Sequence, residues 1–352
     1  MVHCKSHTYF RFPRIVNPST WTVPDICAAY QWPSKLRGGG VIAIVELDGG
    51  WVDSDIDTYF QSINQPTPSI TDVSVDGTTN SPGGSDSDVE VALDIEVAGA
   101  SYYVATGKVP TIRVYWSQDI PSAVAKAAAD GCDVCSISWG ADEADWGPDG
   151  CEQMEAAAAA AVASGMVIFA ASGDNDSSDG GPTPANVDCP SSCPHVVGCG
   201  GTSKTTTGET VWNNNPGHSN GEGTGGGYST VFHRVNWQHD IPPTPNGLGR
   251  MIPDIAANAD PNTGYVIFQG RKHQVVGGTS AVAPLYAGLF AAFGRKLGFV
   301  TRKLWKHKSA FTLITEGGNG MYNAGQQPSP CTGLGVPIGA KLAALFADIT
   351  SL

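Results

Sequence analysis

Gly277-Gly278-Thr279-Ser280-Ala281-Val282-Ala283-Pro284 closes a stretch of strand character and opens a long apolar one. Lys272 to Val276 has the composition of a short strand, two glycines break it, and Ser280 to about Lys296 has the length and apolar spacing of a buried helix. Ser280 is therefore expected at a helix N-terminus, where unpaired N–H groups and the helix dipole would stabilise charge developing on an attacked carbonyl. Pro284 suits a first turn, which has no amide partner to lose. Taken alone, Thr279 or Ser280 reads equally as an N-cap ahead of a core helix.

Outward from that junction, strand and helix patterns alternate. Strands are expected near 41–47, 111–116, 133–139, 166–172 and 195–200, with helices near 54–62, 89–103, 121–130 and 150–164. This order implies an α/β fold with a mainly parallel twisted sheet covered by helices on both faces. No composition shift or repeat divides the 352 residues, so one domain over 1–352 is expected.

A serine nucleophile needs a base within reach and a third group that orients the base. His3, His7, His195, His218, His233, His239, His273 and His307 lie mostly in polar, loop-like sequence, which favours surface roles. The carboxylates differ. In Ser87-Asp88-Val89-Glu90-Val91-Ala92-Leu93-Asp94-Ile95-Glu96-Val97-Ala98-Gly99-Ala100, Glu90 and Asp94 stand four apart inside an apolar run. On a helix their Cβ atoms would lie about 5–6 Å apart on one face. Two buried, ionised carboxylates at that spacing would destabilise the helix, and sharing a proton removes the conflict. The plainer reading, an acidic solvent face, is opposed by the apolar residues on every side.

These residues, with Ser136-Ile137-Ser138-Trp139-Gly140, Ala171-Ser172-Gly173-Asp174, Gly200-Gly201-Thr202, Asn258-Ala259-Asp260-Pro261 and Cys331-Thr332-Gly333-Leu334-Gly335, resemble the sedolisins, the serine-carboxyl peptidases, in their kumamolisin-like branch. The similarity runs from about Pro18 to the C-terminus. It implies a subtilisin-like fold and an acid-acting endopeptidase. Ser280 would be the nucleophile, Glu90 the general base and then acid, Asp94 the group orienting Glu90, and Asp174 a member of the oxyanion hole. Asp174 follows the apolar run Met166–Ala171 and so belongs at a strand's carboxyl end. Only its protonated form can donate to an oxyanion, a form that low pH and desolvation favour. Glu46 and Trp139 would extend the network behind Glu90 and Asp94; taken alone, they read as a loop-start charge and a packing residue. Since carboxyl groups titrate near about 4, the resemblance implies activity at roughly pH 3–5 that is weak near pH 7.

Ser138-Trp139-Gly140 and Gly225-Gly226-Gly227-Tyr228 resemble edges on which an extended polypeptide substrate would pair, making Ser138, Gly140, Gly226 and Gly227 candidate binding residues. Asp188 aligns with a family acid near the specificity pocket, where it would favour a basic side chain; a turn cap is the alternative. Sedolisins bind calcium near the C-terminus through two carboxylates and backbone carbonyls. The corresponding positions here are Leu313, Ile314, Gly325, Gln327 and Ser329, so both carboxylates are gone. Calcium gains affinity from ligand charge, so no metal and no other cofactor is expected.

With 20 Lys and Arg against 33 Asp and Glu, net charge −13, the chain has no basic stripe for phosphates, which excludes a nucleic-acid partner. No apolar run reaches membrane-spanning length, so no membrane partner is expected, and a monomer is. Nine cysteines leave at least one unpaired within a monomer; Cys189 and Cys193 are expected as a short-range disulfide or as buried thiols. Residues 1–17 read as an N-terminal extension without a signal peptide, with no room for the propeptide common in the family. The resemblance implies a secreted protein or an acidic compartment. Two other readings compete: a histidine-dependent subtilisin, opposed by Glu90 on the early helix, and a catalytically impaired peptide-binding relative, opposed by the full set Ser280, Glu90, Asp94 and Asp174.

Overall fold

The computed structural model describes residues 4–6, 9–11, 20–239, 241 and 249–346. At its centre lies an eight-stranded sheet. In chain order its strands are β1 (Val41–Glu46), β2 (Ser69–Ser74), β3 (Thr111–Trp116), β4 (Val134–Ile137), β5 (Val167–Ala171), β6 (Val197–Lys204), β7 (Glu209–Val211) and β8 (Ile255–Asn258). Their order across the sheet is β7-β6-β5-β4-β1-β3-β2, with β8 beside β6. All pairings are parallel except the β6–β7 hairpin.

β1 accounts for the two-sided core. Ile42 and Ile44 point into one apolar cluster, Ala43 and Val45 into the other, as the two-residue period of a strand requires. On the first face pack α2 (Asp86–Thr106) and α5 (Val282–Ala292); on the second, α3 (Ile120–Ala129) and α4 (Glu143–Ala163), whose chain breaks at Gly147 and Pro148; α1 (Asp53–Ser62) precedes them in the chain. The subtilisin-like, doubly covered sheet expected from the sequence is present.

Helices α2 and α5 cross closely because Gly288 has no side chain: a Cβ there would overlap the Ala98 carbonyl. Ser101 Oγ donates to the Leu285 carbonyl at 2.7 Å across the same crossing. Leu285, Leu289 and Phe290 are fully buried, each worth about 1.5–3 kcal/mol of apolar transfer, and Tyr286 stacks on Phe169 of β5. The crossing fixes the N-terminal ends of α2 and α5 relative to each other and to the sheet.

Several elements differ from the sequence expectation. The helix after Ser280 ends at Ala292, with Gly294 in the left-handed region, and not near Lys296. Ser280 itself lies in a single 3₁₀ turn, Thr279–Ala281, ahead of α5. The strand at Lys272–Gly277 is outside the parallel sheet: it pairs antiparallel with Tyr265–Gln269 and with Tyr9–Arg11. The expected 133–139 strand stops at Ile137; Trp139–Asp142 turns away as a separate strand between Lys5–Ser6 and Asp188–Cys189, both antiparallel. Cys189 and Cys193 are free thiols, Sγ to Sγ 3.9 Å, so the buried-thiol alternative holds in place of the disulfide. Of the expected extension, 5–6 and 9–11 are paired strands, while 1–3, 7, 8 and 12–19, with His3 and His7, lie outside the described residues.

Candidate active site

Three strands deliver side chains to one end of the sheet, where the strand order reverses about β1 and sites of open α/β sheets form. Glu46 ends β1, Ser138 and Trp139 follow β4, and Asp174 follows β5. The α2 and α5 N-termini face them. α2 is apolar almost all round, so Glu90 and Asp94, one turn apart, have no accessible surface.

Their neighbours make a connected acid network. Ser138 Oγ, expected on a substrate edge, turns inward and lies 2.8 and 2.9 Å from the two Asp94 oxygens and 3.3 Å from the Ser280 carbonyl. Trp139 Nε1 donates to Glu46 Oε2 at 2.8 Å. Burial, then repulsion from Glu90, pushes the Glu46 carboxyl well above the usual range, against the Trp139 hydrogen bond. Burial, then Glu46 and Glu90, does the same to Asp94, against the Ser138 bond. The three acids thus interact through their charges, and burial favours the protonated forms of Glu46 and Asp94.

Ser280 sits opposite. Gly278, at φ 116°, makes the turn that presents it, and Ser280 Oγ reaches the Ser138 carbonyl at 3.5 Å. On the other flank Asp174 Oδ1 accepts from the Thr279 backbone N–H at 2.8 Å and from Thr279 Oγ1 at 2.7 Å. Thr279 therefore locks Asp174 beside the serine, a part the sequence reading missed although it adjoins Ser280. Three of the histidines have other partners: His195 contacts Glu155, His273 packs on Phe268, and His307 contacts the Lys303 carbonyl.

The expected binding edges are built as follows. Gly140 pairs with Lys5, and Trp139 with Ser6. Gly227 pairs with Ile252, while Gly226, at φ 153°, leaves no room for a Cβ beside the Pro330 carbonyl. Glu143, also unforeseen, anchors this second wall: it accepts from Ser229 Oγ, Thr230 N and Thr230 Oγ1 at 2.5, 2.8 and 3.0 Å. Asp188 is fully buried under Gly140, whose absent side chain makes the space for its carboxyl. Burial pushes Asp188 well above the usual range, opposed by Ser191 and reinforced by Asp142 and Glu143. Cys4, next to the paired Lys5, is close enough for Asp188 to add to the burial that pushes its thiol up to about 12.

The C-terminal positions corresponding to the family's calcium ligands meet only in part, and Gly325 has open space where a Cβ would stand. Leu313 and Gln327 line a cavity of about 310 Å³ with Gln326, Pro328 and Lys308. Ile314 is buried, and Ser329 Oγ accepts from Cys331 N at 3.4 Å. A leucine, amides and a lysine do not fit a divalent cation, and no cluster of three His, Cys, Asp or Glu suited to a metal occurs among the described residues. The loop is closed by protein contacts, Ser329 and Gly333 bridging through Gly333 N to Ser329 O at 2.9 Å.

The sequence model of the subtilase family matches residues 76–316. Kumamolisin from Bacillus sp. (strain MN-32) is 41% identical over 357 residues, 92% of this chain and 63% of that protein. Sedolisin from Pseudomonas sp. (strain 101) is 34% identical over 238 residues, covering 60% of this chain and 40% of that one. The chain thus spans less than two thirds of either relative. The solved structure of Pseudomonas sedolisin, a serine-carboxyl proteinase complexed with two molecules of pseudo-iodotyrostatin, superposes with a TM-score of 0.82 at 25% identity, covering 93% of this chain and 97% of that one. The chain belongs to the subtilase family, as a kumamolisin-like member of its sedolisin group.

Proposed function

We propose that this chain is an acid-acting serine endopeptidase that cleaves extended polypeptides through an acyl-enzyme on Ser280. One observation carries the reading of the substrate: the chain's own backbone already lies on both sides of the serine as an extended strand. Lys5–Ser6 pairs with Trp139–Gly140, next to the Ser138 that touches Ser280, and Tyr9–Arg11 pairs with Val275–Gly277, just before Thr279 and Ser280. A groove that accepts one extended chain in this way accepts another of the same backbone geometry.

The chemistry follows from the acids. Glu90, ionised in the working form, takes the proton from Ser280 Oγ as that oxygen bonds to the substrate carbonyl carbon. Asp94, held by Ser138, and Glu46, held by Trp139, tune and orient Glu90. Protonated Asp174, with backbone N–H groups at the start of α5, stabilises the oxyanion. Glu90 then gives its proton to the leaving amine as the C–N bond breaks; a water, deprotonated by Glu90, bonds to the acyl carbon, and Glu90 returns that proton to Ser280 Oγ as the ester bond breaks. Asp188, expected to favour a basic side chain, has no accessible surface and lies beneath Gly140, so it braces the Trp139–Gly140 edge from behind.

Two further parts belong to this reading. The protein works without calcium, its C-terminal loop being closed by the Ser329–Gly333 bridge. It acts on polypeptides as a monomer. The test is hydrolysis of a denatured protein across pH by the wild type and Glu90→Gln: an acid optimum that Glu90→Gln abolishes supports the assignment, and full activity at neutral pH with none in acid overturns it.

A further inference from the structure

Two residues after Asp174, the chain buries a second acid that the mechanism does not use. Asp176 has no accessible surface and a φ of 53°, a left-handed conformation that a non-glycine residue adopts at some cost. Its carboxyl group is clamped by the 221–225 segment. A Cβ on Gly223 would overlap Oδ1, and one on Gly221 would lie 2.9 Å from Oδ2. Neither oxygen makes a full hydrogen bond.

The same segment carries Asp174. Gly225 N donates to the Gly173 carbonyl at 2.7 Å, Gly223 N to the Asp174 carbonyl at 3.0 Å, and Asp176 N to the Gly223 carbonyl at 2.9 Å. Residues 173–176 and 223–225 therefore lie together as a short ladder, and the Asp176 carboxyl is the wedge at its end. Asn319 and Ser219 hold the following turn through Ser177 N and Ser178 N, both at 2.8 Å.

We propose that Asp176 is a positioning residue for Asp174: while uncharged, its clamped carboxyl keeps the 221–225 segment against 173–176, and once charged it releases that segment. The inference rests on the assignment of Asp174 to the oxyanion site. The groups facing Asp176 leave its charge poorly compensated. Glu222 on the clamping segment repels it, Asp174 and Asp179 share its turn, and Cys331 approaches from the C-terminal segment; the Gly221 N–H opposes them, and the Lys5 ammonium stands beside Gly180. Burial is the largest cause that pushes the carboxyl up to about 7. Since the folded form binds this proton more tightly than the unfolded chain, the contribution is present in acid and lost as pH rises toward about 7.

The experiment compares wild type, Asp176→Asn and Asp176→Gly in two readouts: the pH profile of kcat and amide-hydrogen exchange of residues 221–225 as a function of pH. Asn keeps a neutral wedge at every pH, and Gly removes the wedge while accepting the left-handed backbone. The expected result is a high-pH limb shifted upward by on the order of one pH unit in Asp176→Asn. Exchange in 221–225 should rise beyond its intrinsic pH dependence near neutral pH in wild type only, and at all pH in Asp176→Gly. The same limb and the same exchange curves in wild type and Asp176→Asn would overturn the proposal. Exchange reads out without catalysis, so failure of the peptidase assignment is distinguishable from failure of this one.

Discussion

Ser138→Ala removes the hydroxyl that meets both Asp94 oxygens, at 2.8 and 2.9 Å, between two fully buried residues. Hydrogen bonds to charged groups are worth about 1.5–3 kcal/mol, and each 1.4 kcal/mol or so is tenfold in rate, so kcat should fall about 10- to 150-fold. The bond favours ionised Asp94, and without it burial and the Glu46 and Glu90 charges push that carboxyl higher still. On acidification the acid network then loses its working negative charge earlier, so the acid limb of kcat/KM moves to higher pH. The assay is a pH–rate profile on a fluorogenic peptide, with a melting curve to establish that the variant is folded. A folded Ser138→Ala protein with unchanged kcat and an unchanged acid limb would refute the reasoning.

Deleting residues 1–11 removes the strands paired with Trp139–Gly140 and Val275–Gly277, so KM for a peptide substrate should fall while kcat holds; an unchanged KM would argue against the groove as the substrate site. A strong calcium chelator should leave both melting temperature and activity unaltered, and a large loss of either would contradict the closed loop. Because Glu46, Asp94, Glu96 and Asp188 all bind protons more tightly in the folded state, thermal stability should decline from the ordinary carboxylate range toward neutral pH, which differential scanning calorimetry measures.

The apolar cores of the sheet were readable because parallel strands covered on both faces are continuous hydrophobic runs, as at Val41–Glu46 and Val167–Ala171. β2, Ser69–Ser74, carries no apolar run because it is a polar edge strand, and β8 is four residues between prolines. Helix α2 was placed by its apolar run but starts earlier, where Asp86 and Asp88 complement the dipole. For Lys272–Gly277 the pattern identified a strand and could not name its partners, which lie in a hairpin and in the N-terminal segment. At the site, the motifs point to Ser280, Glu90, Asp94 and Asp174, whereas the inward turn of Ser138, the clasp of Thr279 on Asp174 and the Glu143 anchor depend on contacts between distant segments.

The proposed hydrolysis turns on a covalent acyl-enzyme at Ser280. Acid-quenched mixing of wild type and Ser280→Ala with a peptide ester at about pH 4, followed by intact-mass and peptide mapping, tests it. A transient acyl adduct on the peptide containing Ser280 is expected in wild type, and none in Ser280→Ala. Turnover by Ser280→Ala at the wild-type rate, or an adduct on another residue, would contradict it.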